Sequence, residues 1–360
     1  MPFQILFLSA ILLFSTDRRL PGQSVPSLAA GSSVIQCGAD PTGTSDSTGA
    51  FNTCLKEVPR GDLWVPAGDY KILGTVVKNR DQNLIGAGSK ASVLQCKSTT
   101  APCLVVADTG SGVDYGDSRV QDLTIQGPGA GNSSIGVFLG GDPAGKFSPS
   151  SAFADSASFM NVRITGFQYG IEWGNNAWLN KLVRTLVFGN AVGLYVPAVM
   201  SNSGENIGVT DSAIFNNAQY GLEDNGAFEW MFSGVSFDYN GTAVEFLGST
   251  IHAVNCHFEQ SGGQVFFQPY GYADLSIRDS EILVQADAGS DKYILSTWPQ
   301  VLNLSIDNVS VWSNHPIQYF MRVQGTVAGA ITHLYGNGNK MIGKLWDETS
   351  QAVLTGNSGF

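Results

Sequence analysis

Apolar and polar positions recur in register through the second half of the chain. Each unit opens with a polar or small residue, followed by two variable residues and a large apolar one. Asn161 leads in this way to Ile164, Arg184 to Val187, Asp211 to Ile214, Gly234 to Phe237, Asn255 to Phe258, Asp279 to Ile282 and Asn308 to Val311. Successive apolar anchors lie 23, 27, 23, 21, 24 and 29 residues apart. Three residues beyond an anchor come Asn190, Asn217, Asn240 and then Ser261. Asparagine tolerates left-handed backbone and hydrogen-bonds its own chain in turns, and amides stacked from turn to turn can form a ladder. A short apolar–polar–apolar run follows, centred in successive units on Glu172, Tyr195, Glu223, Glu245 and Phe266. Such period-two alternation predicts a strand with one buried face.

A repeat of ~20–30 residues built from short strands and turns is the pattern of a β-solenoid. No stretch in this region has helical periodicity long enough to supply the crossover of a βαβ unit. A β-propeller needs blades of ~40–50 residues, about twice the observed spacing. The expected architecture is all-β: a single-stranded right-handed parallel β-helix.

The N-terminal part adds a cap. Asp46 or Ser47 can N-cap a short helix carrying Ala50, Phe51, Cys54 and Leu55 on one face. Such a helix would hide the apolar core at an open end, as terminal caps do in repeat proteins. Pro66 and Gly68 then mark the turn into the first coils. The run Gly38, Ala39, Asp40 with Thr44, Ser45, Asp46 and Ser47, the helix ending near Val58, the run Val65 to Tyr70, and Gly86, Ala87 and Gly88 together resemble the opening of the pectate-lyase-like β-helix superfamily. That superfamily includes phage tailspikes and secreted glycan-active enzymes. The resemblance and the repeats cover most of residues 34–320. They imply a β-helix domain over 34–360, with strand and capping helix in 34–60 and an irregular end over 325–360. What the resemblance implies about activity is broad: lyases, hydrolases, epimerases and non-catalytic adhesins.

Composition agrees with a packed, turn-rich fold. Hydrophobic residues make up 43% of the 360, charged residues 14%, and there are 43 glycines. The net charge of −11 and the lack of a basic cluster argue against nucleic acid as a partner. Ile5 to Phe14 is apolar apart from Ser9, too short to span a bilayer but the length of a signal-peptide core. Residues 1–24 are therefore read as an export signal, although Met1 to Phe3 and Gln4 supply no Lys or Arg, and the protein as secreted or at the cell envelope. Cys37 with Cys54 and Cys96 with Cys103 can form local disulfides, leaving Cys256; buried thiols are the alternative. Asn132, Asn240, Asn303 and Asn308 stand in glycosylation sequons.

Neighbouring rungs of a solenoid lie ~4.8 Å apart, so equivalent outward positions form ladders. The middle position of the second strand reads Glu172, Tyr195, Glu223, Glu245, Phe266, which makes Glu223 and Glu245 neighbours. Their expected separation is near the ~5–5.5 Å of a retaining glycosidase, and Glu172 with Glu223, two rungs apart, is nearer the ~6.5–9.5 Å of an inverting one. Two carboxylates so close should not both ionise easily, and the one whose pKa rises can serve as an acid. The position after each anchor reads Thr165, Phe188, Phe215, Asp238, Glu259, Leu283, Trp312, giving a second acidic pair, Asp238 and Glu259, around a bend from the first. Stacked surface acids without chemistry are the plainer alternative for both. Tyr169, Trp173, Tyr195 and Tyr220 are candidate sugar platforms, because sugar rings pack C–H faces on aromatics; for each, core packing is the alternative. Arg163 and Arg184, in adjacent units, can grip a uronate or act in β-elimination, or simply pair with acids.

Several signatures are absent. The positions where pectin hydrolases of the resembled superfamily carry Asp hold Ala218 and Gln219, Gly241 and Thr242, Gly262 and Gly263. Gly140 to Lys146 matches a phosphate loop until Phe147, and reads as a surface loop. His252 and His257 form no zinc spacing pattern, so no metal site is expected. The reading is a polysaccharide-active protein, either a glycoside hydrolase using a pair such as Glu223 and Glu245 or a lyase, which would call for Ca2+ or the Arg pair. A non-catalytic glycan-binding or adhesion β-helix is the alternative, and a tailspike the third.

Overall fold

The computed structural model describes residues 32–110, 118–198, 200–260, 265–284, 293–296, 301–313, 317–322, 326–336, 341–347 and 352–355. The expected export segment and Ser261 lie outside them. The chain is a right-handed parallel β-helix in which each turn lays down three short strands. In one turn Ala157–Met160 forms the first face, Arg163–Thr165 the second and Tyr169–Trp173 the third. The next turn repeats them as Lys181–Val183, Leu186–Phe188 and Val192–Val196. First-face and second-face strands merge into one 23-stranded sheet; the third face is a separate sheet of eleven strands, every described pairing parallel.

The residue that opens each sequence unit is the bend between the first two faces. Asp122, Asn161, Arg184, Asp211, Gly234, Asn255, Asp279 and Asn308 all have φ between 48° and 64°. From Asp122 to Asp279, each donates its N–H to a carbonyl of the following rung. Asn, Asp and Gly enter this left-handed region most readily, which explains why they dominate the position. Arg184 is the exception, exposed and in the same strained conformation. The anchors follow as expected: Ile164 to Val311 are all 0–1% exposed and pair rung to rung without a slip.

The second bend carries the asparagine ladder. The Asn190 amide donates to Asn217 Oδ1 at 3.1 Å, and the Asn217 amide to Asn240 Oδ1 at 2.9 Å. The same oxygens accept the backbone N–H of Asn190 and Asn217, both at 3.1 Å. On the third-face strands stand Gly170, Gly193 and Gly221; a Cβ on each would lie 2.5–2.6 Å from the carbonyl of the next rung. The ladder and its third-face strand therefore approach so closely that only hydrogen fits. Asn240 is 3% exposed, so its sequon is closed in the folded chain.

Thr48–Glu57 is the single α-helix among the described residues, and it covers the N-terminal end. Phe51, Cys54 and Leu55 face the core, and Asn52 donates to Thr75 O and accepts from Val77 N at 2.9 Å, pairing part of the first third-face strand. Asp46 Oδ1 accepts from the Thr48 and Leu73 amides; the Ser47 hydroxyl turns back to the Asp40 amide instead. Both local disulfides are formed, and Cys256 is buried and free. The C-terminal part departs from expectation. Thr326–Gly336, Met341–Asp347 and Ala352–Thr355 continue the same ladders, because apolar alternation persists there beneath a less obvious turn pattern. No described helix is long and apolar enough to cross a membrane.

Replacing Asn217 by Ala removes an amide from the centre of the ladder and leaves the buried Asn190 N–H and Val187 carbonyl short of a partner. The expected loss is ~2–4 kcal/mol in denaturant unfolding, from unsatisfied groups costing ~1–3 kcal/mol each. Arg184→Asn, which relieves a left-handed arginine, should raise stability by ~1 kcal/mol in the same measurement.

Candidate functional site

The third face carries the proposed acids on its outer side. Its outward ladder runs Val105, Phe138, Glu172, Tyr195, Glu223, Glu245 and Gln268, each in register with the next. The expectation of Phe266 at the end of this ladder is corrected. The strand is Val265–Tyr270, and Glu245 pairs with Gln268, while Phe266 is 4% exposed. Trp173 is corrected too: it is fully buried and packs edge-on against Trp230 at 5.2 Å, because it follows outward Glu172 on an alternating strand.

Residues 140–153 form a flap over the N-terminal end of this ladder. Asp142 holds the flap together by accepting the Ala144, Lys146 and Phe147 amides. Phe147 packs edge-on against Phe138 at 5.5 Å, and Val105, Ile135, Phe138 and Ala152 become a small second core. The phosphate-loop look-alike is thus a wall for the exposed acids. Glu172 lies at the foot of that wall. Burial first, then the Asp142 charge, push its carboxyl up to about 8, with Lys146 opposing. Tyr169 stacks on Tyr195 with ring centroids 4.0 Å apart.

Glu223 and Glu245 follow on adjacent rungs. Burial raises Glu223, while the Asn225 amide, donating at 3.1 Å, favours its ionised form. Burial and then the Glu223 charge push Glu245 up to about 7, opposed by hydrogen bonds from Tyr220 and Tyr270. Tyr220 itself is pushed up to about 12 by burial and by Glu245. So close a pair titrates as a coupled unit. Sequence reasoning missed Asn225, Gln268 and Tyr270, which come from a turn and from the strand misread by two residues. It missed Asp142 because a flap residue has no place in the repeat.

The second pair lies around the bend on the second face, with Asp238 in register with Glu259. His257 sits between them, 3.9 Å from Asp238 and 3.4 Å from Glu259 through Nε2, and 3.2 Å from Glu281 through Nδ1. Burial raises Asp238, against hydrogen bonds from Ser236. The signal for His257 was its place two residues before Glu259 on a strand, hence on the same side. The two arginines do not join the third-face acids. Arg163 is on the second face, over the Phe188 ring at 4.9 Å, and Arg184 is at the bend.

No family model and no curated protein matches the sequence. Solved structures do match. The enzymatically active domain of tailspike protein 4 from bacteriophage CBA120 aligns with a TM-score of 0.64 at 18% identity, over 87% of this chain and 45% of that one. The gp42 tailspike of an Acinetobacter phage gives 0.61 at 12%, over 90% and 62%. The A-module of the mannuronan C-5 epimerase AlgE4 from Azotobacter vinelandii gives 0.54 at 14%, over 90% and 100%. The chain shares their β-helix fold. It spans only 45% and 62% of the two tailspike chains.

Glu172 titrates from an ordinary value of 4.5 to about 8 in the folded chain. A carboxyl raised on folding contributes stability that is complete below the unfolded value and is lost as pH climbs through the folded one. Wild type should therefore lose more thermal stability between pH 4.5 and about 8 than Glu172→Gln, which has nothing to titrate. Parallel melting curves across that range are the check.

Proposed function

We propose that this chain is a secreted polysaccharide-active enzyme, a glycoside hydrolase that cleaves a linear glycan along its third face. One observation carries the reading: Glu223 and Glu245 are in register on neighbouring rungs, and Glu245 is pushed up to about 7. A rung spacing of ~4.8 Å suits the ~5–5.5 Å between the carboxyls of a retaining pair. In this reading Glu245, still protonated near neutrality, donates its proton to the glycosidic oxygen. Glu223, whose ionised form the Asn225 amide favours, bonds to the anomeric carbon as the glycosidic bond breaks, and water, deprotonated by Glu245, then releases the sugar from it. The general-acid step accounts for ~10²–10⁴-fold in rate.

The surroundings support it. Tyr169 and Tyr195 offer a half-buried aromatic platform one to two rungs from the pair, and Tyr220 and Tyr270 hold Glu245. The flap dries one end of the strip, and uncharged Glu172 there can donate a hydrogen bond to a sugar hydroxyl. The tailspike domain described as enzymatically active and the mannuronan epimerase share the fold, which favours a polymeric glycan as partner. The pairing of Cys37 with Cys54 and of Cys96 with Cys103 favours an oxidising compartment. With Arg163 and Arg184 off this face, elimination by an arginine pair has no support.

The test is a reducing-end and unsaturated-product assay on a panel of polysaccharides. Wild type should release reducing ends without unsaturated products, and Glu223→Gln and Glu245→Gln should each lower the rate ~10²–10⁴-fold. Activity should decline as pH rises through about 7, where Glu245 loses its proton. Cleavage that survives both substitutions would remove this site from consideration. Folded protein that binds but cleaves no polymer would support the adhesion reading instead.

A further inference from the structure

The second face carries a cluster that the proposed hydrolysis does not use. Asp238, His257 and Glu259 each offer a ligand atom, and these atoms lie within 4.8 Å of one another. The chain places them together by two rules of the fold. Asp238 and Glu259 share a ladder position on adjacent rungs, and His257 and Glu259 are two residues apart on one strand.

The arrangement around the imidazole points to a cation. His257 Nδ1 faces Glu281 Oε2 at 3.2 Å, and a ring proton placed on Nδ1 would be donated to that carboxylate. The Nε2 lone pair is then aimed at Glu259 and Asp238, 3.4 Å and 3.9 Å away, which are acceptors as well. Among the described residues no lysine or arginine pairs with Asp238, Glu259 or Glu281. One imidazole nitrogen and two carboxylates thus converge with a surplus of negative charge and, among the described residues, no cationic side chain as a partner. A carboxylate behind the far ring nitrogen is the usual outer support of a metal-bound histidine.

We infer that Asp238, His257 and Glu259 bind a divalent transition-metal ion of the zinc class. Zinc bonds of ~2.0–2.2 Å place tetrahedral ligands about 3.4 Å apart, close to the separation of Nε2 and the Glu259 oxygen, and Asp238 reaches the same centre with a small side-chain rotation. Mixed nitrogen and oxygen donors suit zinc or manganese better than calcium, which takes six to eight oxygens. Ser236 holds both Asp238 oxygens at 2.7–2.8 Å and Tyr239 donates to Glu259, so the outer contacts are supplied as well. The ring is 34% exposed, and its Glu281 side borders an open groove lined by His257, Glu281, Asp279 and Asn308.

Calorimetric titration of the full chain with ZnCl2 at neutral pH tests this. The expected result is one saturable site, weakened at least tenfold by His257→Gln and about tenfold by Glu281→Gln, with second-shell losses of ~10–100-fold as the guide. Glu223→Gln, on the other face, should bind zinc as wild type does, so failure of the hydrolase reading and failure of this one are separable. Zinc should also raise the melting temperature of wild type and leave that of His257→Gln where it was. If the variants do not fold, zinc-edge X-ray absorption on the unaltered protein decides. One imidazole with carboxylate oxygens supports the site, and a shell of oxygens alone overturns it. Absence of saturable binding, or binding unaffected by His257→Gln, also overturns it.

Discussion

The constraint on which this molecule depends is the fixed rise of one parallel rung on the next, ~4.8 Å. It makes neighbours of equivalent side chains whether or not they attract. Where the stacked group is an amide, each rung donates to the next, as in Asn190, Asn217 and Asn240. Where it is a ring, planes align: Phe188 and Phe215 lie 4.8 Å apart at 3°. Where it is a carboxylate, the same spacing forces like charges together, and the conflict is relieved by a proton at Glu245. One geometric rule therefore yields both a continuous polar ladder in the scaffold and a crowded pair of carboxylates on its face.

Repetition alone would leave the third face flat and wet. The departure from repetition, the flap at 140–153, makes one stretch of it different by burying Val105 and Phe138 and drying Glu172. The second face reaches a local concentration of charge without a flap, through a histidine among three acids. The two acidic clusters thus differ in how they handle charge: the first through burial and shared protons, the second through converging donors of lone pairs.

Most of the coil was legible because its signals are periodic and local. The anchors from Ile164 to Val311, the asparagine bend and the second-face ladder from Thr165 to Trp312 all depend only on counting along in-register strands, and all are where counting puts them. Counting failed at Gln268: on the strand Val265–Tyr270 the residue opposite Glu245 stands two positions later than its forerunners. Trp173 failed for a different reason. Alternation already pointed it inward, and its aromatic character suggested a sugar contact that burial denies. Asn225 and the flap's Asp142 were invisible because they approach the acids through turns and loops, whose positions no periodicity encodes, and Tyr270 because it stands on the strand whose register shifts by two. His257 was available to the same counting that found Glu259, but was judged by metal-motif spacing along the chain rather than by shared strand face.

The closed sequon at Asn240 gives the asparagine ladder a kinetic meaning. In a cell that attaches glycans to Asn-x-Thr during export, the amide nitrogen of Asn240 has two competing fates: transfer of a sugar while the coil is open, or donation to Ile214 O at 2.8 Å once it closes. A glycan attached first would be a wedge too large for a bend with no free space, so that molecule could not complete the ladder. Occupancy at this one residue would then record how fast each newly made chain winds its middle coils.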